Sequence, residues 1–354
     1  MRIGIVTQPL VNNYGGVMQN FALQYVLKRM GHTPLTLDYI PAKNIWRIIL
    51  SLLFNFVLFF TSKRRNVVDC LPVKRDKHVG EFMSKYIQLT RKIDHYSSDL
   101  INNYSLNAII VGSDQVWRPA YNDSVLYDNY LMFAYDYNIK KIAYAASFGV
   151  SDWEYTPAMT EACRKLVSKF DAISVRESSG VKLCNRFLDV ESCVVLDPTL
   201  LLTAEDYRPL FSTIPQLPYP YALHYILDKK NAINTTSGPI GIENVVSVSV
   251  SRKLTCSIEE WLCLIFNAEI VITDSFHGMV FSVIFHKDFY VIGNKKRGVS
   301  RMLSILEGLG LTDRFILDNN FSLNKVRPID WCKVDSCLNH LRSYSIDFLI
   351  NSLK

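Results

Sequence analysis

Ile270-Val271-Ile272-Thr273-Asp274-Ser275-Phe276-His277-Gly278-Met279 begins as a β-branched apolar run, breaks into a polar turn and resumes as an apolar helical pattern. A strand apolar on both faces belongs inside a parallel sheet with helices above and below it. The turn at its carboxyl end delivers Asp274, Ser275 and His277 to a helix N-terminus, whose unpaired N–H groups and positive dipole end favour anions. The pattern repeats outward from this stretch. β-branched runs at 3–7, 35–39, 108–111, 142–147, 172–175 and 193–196 alternate with helical periods at 17–30 and 158–170. Asp197-Pro198 closes that set, and Pro215, Pro218 and Pro220 punctuate the next twenty or so residues, so 198–220 reads as a linker. A second set places strands at 221–227, 245–250, 269–273 and 289–292, with helices at 257–268 and 279–285. The expectation is an α/β protein of two Rossmann-like, doubly wound domains facing a cleft. The N-terminal domain spans 1–198 and the C-terminal domain 199–333, and a final amphipathic helix over 334–354 packs back on the N-terminal domain.

The length of 354 residues exceeds the roughly 250–300 at which one core stops growing, which agrees with two domains. With 49% hydrophobic and 20% charged residues the chain is not a disordered scaffold, and it carries no internal repeat of a solenoid or propeller. Eight cysteines form no C-x-x-C pair, and Met1 to Val6 runs directly into a strand instead of a secretory signal, so a reducing cytoplasmic location is expected. The net charge of +6 is concentrated between residues 62 and 92, where nine basic residues face three acids. No aromatics interleave them periodically, and no nucleic-acid partner is expected. The apolar run 48–60 is too short for the ~20 residues that span a bilayer. With Trp46 before it and Lys63-Arg64-Arg65 after it, 45–65 reads either as a peripheral contact with the inner face of the cytoplasmic membrane or as a helix packed in a core or a homo-oligomer interface. The whole of 45–92 reads as an apolar and basic insertion in the N-terminal domain.

In open α/β sheets ligands bind at the carboxyl ends of strands, which singles out four turns. Asn12-Asn13-Tyr14-Gly15-Gly16 precedes a helix expected to open at Val17 and to carry Gln19; it reads as an anion- or sugar-binding turn or as an ordinary glycine-rich one. Gly112-Ser113-Asp114-Gln115-Val116-Trp117 places Asp114 as a base, a sugar-hydroxyl acceptor or a helix N-cap. Arg176, ending the strand at 172–175, offers a planar fork to a carboxylate or phosphate, or a salt bridge to Glu177 or another acid. His277 suits proton transfer near neutral pH, or is a buried structural histidine. Asp274, Ser275 and His277 stand too close in sequence for a hydrolase triad, and no histidine or cysteine spacing suggests a metal.

Taken in order, Asn13-Tyr14-Gly15-Gly16 with Met18-Gln19 and Ala22-Leu23-Gln24, Gly112-Ser113-Asp114-Gln115-Val116-Trp117, Ser174-Val175-Arg176-Glu177, Leu196-Asp197-Pro198-Thr199 and Thr273-Asp274-Ser275-Phe276-His277-Gly278 resemble the polysaccharide pyruvyl transferase family over roughly residues 1–315. The resemblance implies a GT-B-like fold and a cytoplasmic enzyme that moves the pyruvyl group of phosphoenolpyruvate onto two hydroxyls of a sugar in a bacterial capsular or exopolysaccharide repeat unit, presented as a lipid-linked oligosaccharide. It implies no cofactor and no metal. By the same resemblance His277 and Arg176 serve phosphoenolpyruvate; the chemistry then needs an acid, a base and groups that hold the anion, for which His277 with Asp114 or Asp274, and Arg176 and Ser275 with Lys296, Arg297 and Arg301, are the candidates. Asn13, Tyr14, Gly15, Gly16, Gln19 and Trp117 are expected to face the acceptor. Relatives often carry arginine where this chain has Ser275, so Lys295, Lys296, Arg297 and Arg301 are the candidates for the missing cation. A GT-B-like nucleotide-sugar glycosyltransferase and a non-catalytic glycan-binding protein are the alternatives.

Overall fold

The computed structural model describes residues 1–41, 75–122, 124–228, 242–248, 255–293, 299–316 and 327–354. Among them, eleven strands form two sheets, and every pairing is parallel. The first sheet has the order β2-β1-β3-β4-β5-β6, with β1 Arg2–Val6, β2 Thr33–Thr36, β3 Ala108–Val111, β4 Lys140–Ala146, β5 Ala172–Val175 and β6 Cys193–Val194. The second has the order β11-β10-β9-β7-β8, with β7 Ala222–Tyr225, β8 Val245–Val248, β9 Ile270–Thr273, β10 Asp288–Ile292 and β11 Phe315–Ile316. β3 and β9 are buried at every residue, which is why their sequences are apolar without alternation.

Both sheets are doubly wound. In the first, the chain goes from β1 to β2 on one side and returns to lay β3 on the other; in the second, β8 and β9 flank β7 in the same way. Each sheet therefore has one switch point, between β1 and β3 and between β7 and β9, where the outgoing turns diverge and leave a crevice. The turns after these four strands carry Asn12, Asp114, Leu227 and Asp274.

Two helices begin earlier than their sequence pattern predicts. The first runs Tyr14–Arg29, three residues ahead of the expected start, so Gly15 and Gly16 lie in helix and not in the turn. The helix after β9 runs Phe276–Ile284 and takes His277 into its first turn. In both cases the apolar period starts after residues that are themselves already helical, because the first turn faces the other sheet. The final helix, Trp331–Ser352, reaches the first sheet: the Leu196 N–H donates to Ser345 Oγ (2.9 Å), Arg342 Nε donates to the Leu200 carbonyl (2.9 Å), and Phe348 lies 6.2 Å from the Tyr144 ring. One apolar cluster runs from Ile3 of β1 through Trp261 to Val291 of β10, so a common core joins the two sheets. No described helix is long and apolar enough to cross a membrane, and the segment 45–65 lies outside the described residues.

Candidate active site

The switch-point turns of the two sheets meet around a cavity of about 320 Å³. Asn12 and Asn13 come from the turn after β1, Asp114 and Gln115 from that after β3, Leu227 from that after β7, and Asp274, Ser275, Phe276 and His277 from that after β9. Tyr121, Tyr225 and Arg301 complete the lining.

His277 is 6% exposed and reaches the first sheet. Ser275 caps its helix by accepting from the Gly278 N–H (3.3 Å), while the Ser275 N–H donates to Thr273 Oγ1 (3.0 Å), which fixes the imidazole on the first turn. The ring lies against the N-terminus of the helix Tyr14–Arg29. A Cβ built on Gly15 would stand 1.9 Å from His277 Nδ1. Glycine at that position makes room for the imidazole. His277 Nε2 faces Asp197 Oδ2 at 3.8 Å, an ion-pair distance longer than a hydrogen bond.

Asp197 is fully buried beneath the cavity. Its Oδ1 accepts from the Thr199 N–H (3.0 Å) and Thr199 Oγ1 (2.6 Å), and its Oδ2 from Arg176 Nη1 (2.9 Å), Ser113 Oγ (3.3 Å) and Gln19 Nε2. Burial alone would raise its pKa, but His277, Arg176 and Thr199 outweigh burial and hold it well below the usual carboxylate range.

Arg176 does not present a free fork to a ligand. It is fully buried, with Nη1 on Asp197, Nη2 3.5 Å from Asp114 Oδ1 and Nε 4.0 Å from Glu177 Oε2. Burial opposes its charge, and the three carboxylates more than restore it. Of the two readings of Arg176, the structure shows the ion pairs with protein acids, while Nε and Nη2 have no hydrogen-bond partner among the described residues. Arg301 is the cation that lines the cavity among the described residues: Nη1 lies 3.7 Å from Asp114 Oδ1, and the guanidinium stands 5.4 Å from the Phe276 ring centroid. Burial and the nearby Arg176 lower its pKa to about 10, a charge poorly compensated by its surroundings. Lys295, Lys296 and Arg297 lie outside the described residues.

Asp274 is buried, and both its oxygens accept backbone donors, the Leu227 N–H (2.6 Å) and the Asp228 N–H (3.0 Å), which ties the turns after β7 and β9 together. Asp114 lines the same cavity, between Arg176 and Arg301. Its backbone is left-handed (φ 77°), its Oδ2 accepts from Asn13 Nδ2 (3.4 Å) and its Oδ1 from the Gln115 N–H (2.9 Å).

Of the residues expected to face an acceptor, Asn13 lines the cavity. Tyr14 and Trp117 are wholly buried. Tyr14 donates to the Cys256 carbonyl and lies 5.3 Å from Trp261, whereas Trp117 stacks on Tyr130 at 4.8 Å and donates to the Asn129 carbonyl. Gln19 is buried on Asp197, and Gly16 packs beneath the Asn13 side chain. These four are corrected to supporting positions, since a glycine-rich or aromatic motif does not show which side of its turn a side chain takes. The residues missed are Asn12, Gln115, Tyr121, Tyr225, Leu227 and Asp197. Asp197 was visible, but its proline neighbour made it read as punctuation. Tyr121, 53% exposed at the cavity, obeys no periodic signal.

Two parallel doubly wound sheets with a crevice where their switch points face each other define a GT-B-like protein. The Arabidopsis thaliana UGT89C1 structure complexed with UDP-L-rhamnose matches at TM-score 0.52 and 9% identity, covering 99% of this chain and 98% of that one. The glycotransferase of kitacinnamycin matches at TM-score 0.51 and 11% identity, covering 100% and 99%. UDP-GlcNAc 2-epimerase from Neisseria meningitidis, bound to UDP-GlcNAc, is similar at TM-score 0.49 and 12% identity, covering 98% and 93%. Comparison with curated protein sequences finds none that matches. The polysaccharide pyruvyl transferase family model matches residues 13–296, and the chain belongs to that family.

Proposed function

We propose that the chain transfers the pyruvyl group of phosphoenolpyruvate to two hydroxyls of one sugar in a bacterial capsular or exopolysaccharide repeat unit, forming a cyclic ketal and releasing phosphate. The observation that carries this reading is the convergence, in one cavity, of a histidine on a helix N-terminus, a carboxylate and an arginine drawn from both sheets. The reaction needs those three kinds of group. A proton is added to C3 of phosphoenolpyruvate, which becomes the methyl group, and a sugar hydroxyl attacks the resulting oxocarbenium-like C2. A second hydroxyl then displaces phosphate, and each hydroxyl gives up its proton. His277 and Asp114 are the proton-handling pair. Asp274, which accepts from the Leu227 and Asp228 backbone, ties the turns after β7 and β9 together.

Phosphoenolpyruvate carries a carboxylate and a phosphate, and buried acids already offset Arg176. Arg301, the N-terminus of the helix Phe276–Ile284 and the sequence neighbours Lys295, Lys296 and Arg297 bind it. Tyr121, Tyr225 and Asn13 face the sugar. Residues 45–65 contact anionic lipid and bring the chain to a lipid-linked acceptor; flotation with anionic but not neutral liposomes, lost when Lys63, Arg64 and Arg65 become Ser, tests that contact. The chemistry is tested by mass spectrometry of repeat-unit glycans incubated with the full chain and phosphoenolpyruvate. Pyruvyl transfer adds one pyruvate less one water to the glycan. A glycan left unchanged across acceptors of several compositions, or one extended by a sugar from a nucleotide donor, overturns the proposal.

A further inference from the structure

We infer that Asp197 is the positioning residue of His277, holding the imidazole by Nε2–H across the junction of the two sheets. The inference rests on the reading of His277 as the proton-transfer group. Three independent features support it. First, His277 Nε2 is sealed from solvent without a hydrogen-bond partner, and it faces Asp197 Oδ2 at 3.8 Å. A buried ring nitrogen is seldom left unpaired, and an approach of the sheets by about 1 Å makes this contact a hydrogen bond. Second, the carboxylate is itself fixed. Thr199 pins Oδ1 with two donors, and Arg176 with Gln19 directs Oδ2, so the rotamer presented to His277 has little freedom. Third, the other ring nitrogen packs against Gly15 at the start of the helix Tyr14–Arg29, where the absent side chain leaves room for the imidazole and the contact fixes its position from the other side. Asp197 stays ionised, because the donors around it outweigh its burial.

The arrangement gives Arg176 and Gln19 a shared task. They stabilise the charge that selects the Nε2–H tautomer without touching a ligand, which explains why an arginine of a family motif is wholly buried. The histidine belongs to the second sheet and its carboxylate to the first, so the pair is complete only when both are in place.

The test is ¹⁵N NMR of the full chain labelled at histidine, with the His277 signal assigned by its loss in His277→Ala. The Nε2–H tautomer is expected for neutral His277; an Nδ1–H tautomer overturns the inference. This readout requires no substrate, so it can fail while pyruvyl transfer stands, or succeed in a chain that does not use phosphoenolpyruvate. Asp197→Asn is expected to lower kcat by about 10²–10⁴-fold while leaving the KM for phosphoenolpyruvate within about threefold. Since that variant leaves Arg176 less compensated, Thr199→Val serves as the milder change. It keeps both charges, removes the 2.6 Å bond that fixes Oδ1, and should lower kcat about tenfold with a mixed tautomer signal. Unchanged kcat and tautomer in Thr199→Val, or a rise in KM alone, contradicts a positioning role.

Discussion

Gly15 lacks a side chain where His277 needs the space. A Cβ there would overlap Nδ1 at 1.9 Å, so Gly15→Ala must push the imidazole away while leaving the backbone of the helix acceptable. A displacement of about 1 Å at a reacting group costs on the order of 10²-fold in turnover, and Gly15→Ala should approach the loss of about 10²–10⁴-fold expected of His277→Ala. Steady-state phosphate release, with circular dichroism to confirm folding, measures both; near-normal turnover in folded His277→Ala would remove its proton-transfer role. A different residue sets the pH response of stability. Burial pushes the Asp128 carboxyl up to about 6, against a weaker pull from His95. A carboxyl raised in the fold contributes stability below its unfolded value of about 4, and that contribution is lost as pH rises through about 6. Asp128→Asn, which cannot ionise, should therefore be more stable than wild type at pH 7 by about 1 kcal/mol after allowance for part exposure, raising Tm by about 1–3 °C. The gain should vanish below pH of about 4; an equal gain at both pH values would assign the effect to packing. At this scale the sequence located the turns that bring Asp114 and His277 to the cavity. It was not legible for Tyr14, Trp117 and Gln19, whose motifs locate a turn but not the direction of a side chain, nor for Asp197, whose partners apart from Thr199 are 21 to 178 residues distant.

The turns carry the chemistry because of strand order. Only the turns after β1 and β3, and after β7 and β9, flank a switch point, and those four line the cavity. The strands were readable from apolar runs because buried parallel strands leave no other trace, whereas strand order depends on long-range pairing. Helix starts were misplaced by three residues for Tyr14–Arg29 and Phe276–Ile284, because glycine and polar residues that pack against the opposite sheet lack a helical period. The helix Val299–Leu309, which brings Arg301 to the cavity, supports a prediction about charge. Arg301→Ala should raise the KM for phosphoenolpyruvate at least tenfold with a smaller change for the sugar, since Arg301 is the described cation at the cavity. Ser275→Arg on that background returns a cation at a cavity-lining position. It gives up a cap worth about 1 kcal/mol and should restore part of the lost affinity. A collapse of sugar affinity instead would move Arg301 to the acceptor side.

Across the whole molecule, two sheets share a core and each supplies half of the cavity, with the Trp331–Ser352 helix bonded back to Leu196 and Leu200 of the first half. That two-sheet plan was legible in the sequence as two alternating sets around a proline-marked break. The meeting of both switch points on one histidine was not, since it arises from packing between halves. A GT-B-like fold is compatible with more than one chemistry, and its residues acquire meaning only through the donor they bind. The most direct measurement is ³¹P NMR of the full chain mixed with phosphoenolpyruvate, a nucleotide sugar and a lipid-linked repeat-unit glycan. Pyruvyl transfer predicts loss of the phosphoenolpyruvate signal and growth of inorganic phosphate only when the glycan is present, with neither change in His277→Ala. Release of nucleotide while phosphoenolpyruvate remains intact would contradict it.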